Sequence, residues 1–220
     1  AALNAFGTDA AALGNHEFDW GVDTLRARCR DMRYPLLAAN VFEKASGRRP
    51  DWVRPWAIVE RDGVRLGIIG FATPETPRVT LPTNVEHLRF DAPEPMIPDL
   101  VRQVRRQGAQ LVVVLCHLGG FQEKDGEIRG PVADLARAAR GVDAIVGGHT
   151  HSFVAGRAHG IPVVVAGASG RALGRIVLRW DGRRVRGAET ALLRAWSDSL
   201  RVPSWDPIAA LVDSMRREVL

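Results

Sequence analysis

Three apolar runs in this 220-residue chain end in residues that can bind a cation or move a proton. Ala10–Leu13 leads into Gly14-Asn15-His16-Glu17-Phe18-Asp19. Leu111–Cys116 leads into His117-Leu118-Gly119-Gly120. Asp143–Val146 leads into Gly147-Gly148-His149-Thr150-His151. Four of the six histidines stand at these ends, while His87 and His159 lie in turn-like stretches. Neutral imidazoles and an Asn carbonyl suit Mn, Fe, Zn or Ni, and serve Mg or Ca poorly without carboxylates. Asn15, His117 and His149 could share one cation, with His151 facing a second. Two cations about 4 Å apart clamp a phosphoryl group and generate a hydroxide nucleophile. Asp19, three residues past His16, could orient it as a general acid for a leaving alkoxide. Each histidine also has a plain alternative. His16 could be a loop histidine capping the next helix, His117 a satisfied core histidine, and His149 with His151 a solvated pair.

These side chains need elements that bring them together. Each run has the length and apolar continuity of a strand buried on both faces. In parallel α/β sheets, ligands sit beyond the carboxyl ends of the strands, so the three ends should converge on one cleft. His149 and His151, two apart on an extended backbone, would share a side. Between the runs, the sequence predicts a helix tail stopped at Gly7, an Arg-rich helix over Val22–Met32 and a strand over Pro35–Phe42. An Asp62-Gly63 turn joins Trp56–Glu60 to Val64–Phe71 as a hairpin. The proline-rich stretch 72–98 reads as a long surface loop, and 119–130 as a polar one. Helices follow over Asp99–Gln107 and Val132–Arg140, a strand over Ile161–Ala166, and a second hairpin, Leu173–Trp180 with Arg184–Leu193. A polar connection, Ser197–Asp206, leads to a last helix, Pro207–Leu220. Such βα units interspersed with hairpins indicate a mixed-sheet, layered α/β fold. Asn40 either approaches the cleft or closes a turn.

Composition excludes other classes. The chain is 46% hydrophobic and 25% charged, with net charge +5. The basic residues are nearly all Arg, clustered at Arg26, Arg28, Arg30 and Arg33 and at Arg102, Arg105 and Arg106. Without interleaved aromatics or a recognisable module they read as solvated faces, so no nucleic-acid partner is expected. Cys29 and Cys116 read as free, small apolar residues rather than a disulfide framework. No apolar run reaches transmembrane length.

GNHEFD, VVLCHLG and GGHTH, in this order and at these separations, resemble the calcineurin-like metallophosphoesterases, and ALGNHEFDWG is especially similar to the 5′-nucleotidase branch. The resemblance implies a four-layer α/β/β/α sandwich with a dinuclear site of Mn, Zn or Fe type. It implies that Asn15, His117 and His149 bind one metal and His151 the other. It places His16 and Asp19 as an acid dyad near the phosphate, with Asn15 and His16 contacting substrate. The implied substrate is a small-molecule phosphate ester, most specifically a nucleoside 5′-monophosphate. The alternatives are a phosphodiester, a nucleotide-sugar, the sulfur-oxidation thiohydrolase chemistry of related enzymes, or a non-catalytic metal-binding domain. The implied setting is periplasmic or extracellular, and oligomeric state is left open. The family's opening Asp-x-His and Gly-Asp motifs are not in this sequence. The expectation is therefore an N-terminally incomplete catalytic domain over 1–196, with 197–220 leading toward an absent C-terminal domain. Taken alone, such a chain should bind metals poorly and show little activity.

Overall fold

The computed structural model describes residues 2–194 and 206–219. Along the first half run α1 (Ala2–Ala5), β1 (Ala11–Ala12), α2 (Gly21–Cys29), β2 (Leu36–Leu37), β3 (Val41–Glu43), β4 (Trp56–Arg61) and β5 (Val64–Phe71). The middle holds α3 (Thr76–Val79), α4 (Pro82–Val85), β6 (Leu88–Phe90), α5 (Ile97–Arg106), β7 (Leu111–Cys116), β8 (Phe121–Gln122) and β9 (Ile128–Arg129). Then come α6 (Pro131–Ala138), β10 (Ala144–Gly147), β11 (Phe153–Ala158), β12 (Ile161–Ala166), β13 (Ala172–Trp180), β14 (Val185–Arg194) and α7 (Asp206–Val219).

Six strands form the main sheet in the order β11-β12-β10-β7-β5-β4. Its centre, β12-β10-β7-β5, is parallel, and the outer strands β11 and β4 are antiparallel to their neighbours. Two glycines of β5 show what lies on each face. Gly67 and Gly70 are three apart, so they point to opposite sides. A Cβ on Gly67 would meet Val104 of α5, and one on Gly70 would sit 2.1 Å from Leu37 Cβ on β2. Helix α5 therefore covers one face, and the small parallel pair β1–β2 packs directly on the other. Beyond that pair lies α2, whose Leu25 shares a buried cluster with Leu13, Leu36 and Phe18. The larger core joins Ile69, Val104, Val112, Val114, Leu135 and Ile145 between the main sheet, α5 and α6. The order helix, sheet, sheet, helix is the expected layered α/β architecture.

Several element boundaries depart from the sequence reading. The prolines of 72–98 do not make one long loop. Pro77, Pro82, Pro95 and Pro98 start short helical turns, where a missing N–H costs nothing. The expected strand Pro35–Phe42 breaks into β2 and β3 around Asn40. That buried side chain donates to Ala72 O and Asp91 O and accepts from Ala72 N–H, so it closes a turn and does not reach the cleft. Strand β11, not anticipated, pairs with β12 across His159-Gly160, both at positive φ. The expected connection Ser197–Asp206 lies outside the described residues up to its final position.

Candidate metal-binding and phosphoester site

Beyond the carboxyl ends of β5, β7 and β10 stand Glu75, His117 and His149, and beyond β1 stands Asn15. Asn15 is buried, at 3% exposure, with its Oδ1 2.9 Å from His117 Nε2. The His117 and His149 rings meet edge to face with centroids 4.9 Å apart. Gly14 makes this approach feasible, because a Cβ there would lie 3.0 Å from the His117 ring and 2.8 Å from Glu17 Oε2. Glu17 accepts the Gly14 N–H, so its carboxylate holds the loop.

His16 and Asp19 are brought together by a single 3₁₀ turn, in which residues three apart eclipse. His16 Nδ1 lies 2.9 Å from Asp19 Oδ2, and the imidazole is largely exposed. Phe18 fixes this turn from below, fully buried and edge-on to Phe90 and Trp52. Asn84 of α4 clamps it from the side, donating to Phe18 O and Asp19 O.

The GGHTH loop differs from the sequence expectation. His149 and His151 have φ of 75° and 54°, so the backbone is left-handed and not extended. Non-glycine residues held there carry strain, which is characteristic of functional loops. Thr150 and Ser152, hydrogen-bonded to each other and to Gly120, hold the loop in this form. His149 is mostly buried, while His151 is exposed.

Burial, then the positive charge that His149, His16 and His151 would carry, lowers the His117 pKa to about 4. His117 is thus neutral at physiological pH and keeps a lone pair for a cation. A buried carboxamide oxygen beside two imidazoles fits one transition-metal cation in donor type. Among the described residues, no group of three His, Cys, Asp or Glu is placed to hold a metal. Cys116, fully buried with its thiol pushed up to about 12 by burial, and Cys29 both remain unpaired.

Residues 1–157 match the family described as bacterial capsule synthesis protein PGA_cap. The chain belongs to this family. Protein UshA of Yersinia enterocolitica is 31% identical over 156 residues, 69% of this chain and 28% of that protein. The chain thus spans under a third of the length of this curated relative. The structure of calcineurin-like phosphoesterase YfkN from Bacillus subtilis superposes with TM-score 0.84 at 25% identity, covering 98% of this chain and 72% of that one. A 5′-nucleotidase precursor from Thermus thermophilus gives 0.79 at 25% identity, over 99% and 45%. The resemblance to calcineurin-like metallophosphoesterases of the 5′-nucleotidase branch is thereby borne out, as is the metallophosphoesterase-type fold. This PGA_cap member carries one further site residue that the sequence reading missed. Glu75 Oε2 lies 3.2 Å from His149 Nε2. Its signal was faint, a single acid after the apolar run Val64–Phe71 within a proline-rich stretch.

Proposed function

We propose that this chain contributes the catalytic site of a metal-dependent phosphoester hydrolase, and that its substrates are nucleoside 5′-monophosphates. The observation that carries this reading is the meeting of Asn15, His117 and His149 beside the His16–Asp19 pair. The likeness to a structure described as a calcineurin-like phosphoesterase and to one described as a 5′-nucleotidase precursor supports it.

On this reading Asn15, His117 and His149 hold one divalent cation of Mn, Zn or Fe type, and His151 faces a second. Bound cations would neutralise phosphoryl charge and lower the pKa of a water. Asn15 and His16 contact the phosphate. Asp19 accepts the His16 Nδ1–H and would stabilise the imidazolium, whose Nε2–H is the proton passed to the leaving alkoxide. His117, kept neutral by burial at physiological pH, is ready to ligate. Residues 1–196 form the catalytic unit, with 197–220 as linker and helix. An exported setting fits the name of the Thermus relative, a precursor. No helix among the described residues is long and apolar enough to cross a membrane.

Phosphate release from AMP, a nucleotide-sugar and a phosphodiester, measured with Mn²⁺ on the whole natural protein that contains these residues, tests the proposal. Preference for AMP is expected. His16→Asn should lower kcat by about 10²–10⁴-fold, the usual contribution of a positioned proton donor, with cation affinity unchanged. A whole protein that binds Mn²⁺ but releases no phosphate from any ester would return the non-catalytic reading.

A further inference from the structure

We infer that Glu75 is a positioning residue for the cation site. It fixes the tautomer and orientation of His149 from behind, without itself binding the cation. The inference rests on the reading of His149 as a ligand, and three observations carry it.

First, Glu75 Oε2 lies 3.2 Å from His149 Nε2. A carboxylate can only accept, so the imidazole donates its Nε2–H, and Nδ1 is left with the free lone pair. A carboxylate behind a ligating imidazole fixes the tautomer and raises ligand basicity. Second, Glu75 occupies the N-cap position of α3, yet its side chain makes no capping hydrogen bond. Asp, rather than the longer Glu, is the acid that ordinarily turns back to the first N–H groups. The Glu75 carboxylate is directed away to His149. Third, the turn that presents it is anchored. Thr73 and Thr76 flank it with 1% and 0% exposure. Thr73 Oγ1 accepts the Glu75 N–H, and Thr76 Oγ1 donates to Thr73 O.

As an ordinary surface ion pair this contact would add little stability. The Glu75 side chain is 57% exposed. Its consequence lies in aim: a His149 held at positive φ by its loop and at Nε2 by Glu75 has its remaining nitrogen pre-set.

The test uses Glu75→Ala and Glu75→Gln in the whole natural protein, with thermal melting to confirm that both fold. In metal-free protein at pH 8, ¹⁵N chemical shifts should report an Nε2–H tautomer for His149 in the wild type. They should move toward Nδ1–H in Glu75→Ala. Zn²⁺ affinity, read by chelator competition, should fall about 10–100-fold in Glu75→Ala. It should fall distinctly less in Glu75→Gln, whose amide oxygen still accepts. An unchanged tautomer overturns the inference. Equal Zn²⁺ losses in both variants do so too, because they would make Glu75 a ligand. If the wild type binds no Zn²⁺, the functional reading falls, and the tautomer shift alone decides the role of Glu75.

Discussion

At His117, burial and the charge of neighbouring imidazoles act in one direction, lowering its pKa from 6.5 to about 4. In this window the unfolded chain binds a proton that the folded chain refuses. The contribution to stability is therefore complete above about 6.5 and is lost as pH falls toward 4. Metal-free protein should accordingly show a lower Tm at pH 5 than at pH 7. His117→Asn should flatten that dependence, and an equal slope in the variant would count against it. The side chains of this cleft were largely legible, because each of Asn15, His117, His149 and His151 follows an apolar run that had to be a strand. Glu75 was not, since a lone acid among prolines has no pattern to mark it. Nor were the positive φ angles at His149 and His151, because left-handed geometry at a histidine comes from Thr150 and Ser152 holding the loop.

Between elements, the tightest fit is Gly70 against Leu37, where an added Cβ would also lie 2.6 Å from the Leu37 carbonyl carbon. Gly70→Ala must push backbone from backbone. It should destabilise by about 1–3 kcal/mol or more, as overpacking does. Urea denaturation should show a lower midpoint with an unchanged slope. Gly187→Ala, with only an ordinary 3.9 Å contact to Arg179 Cδ, serves as the control. The hairpins β4–β5 and β13–β14 were readable because Asp-Gly turns mark their ends. The break between β2 and β3 was not, because it depends on Asn40 finding Ala72 and Asp91, 32 and 51 residues away. Prolines 77, 82, 95 and 98 misled for a related reason. The same residue that ends a helix also begins one, and only tertiary packing decides which.

Over the whole molecule, the donors divide unequally between two proposed cations: three for one and His151 for the other. In the whole natural protein, calorimetric titration with Zn²⁺ should resolve a tighter and a weaker step. His117→Ala should remove the tighter step and His151→Ala only the weaker, while loss of both steps in His151→Ala would refute this division. The layered α/β class was evident from alternating strand and helix signals, but which strands stack on which was not, because stacking depends on contacts such as Gly70 with Leu37. That stacking divides the cleft. Asn15 is carried by the smaller core with Leu13 and Phe18, and His117 and His149 by the larger one with Cys116 and Ile145. The 2.9 Å between Asn15 Oδ1 and His117 Nε2 thus spans the seam between two buried clusters that Gly70 and Leu37 hold in close contact. A slip of one sheet over the other would change this distance. A cation seated there would work as a rivet across the joint, so that tightness of binding and rigidity of the joint rise and fall together.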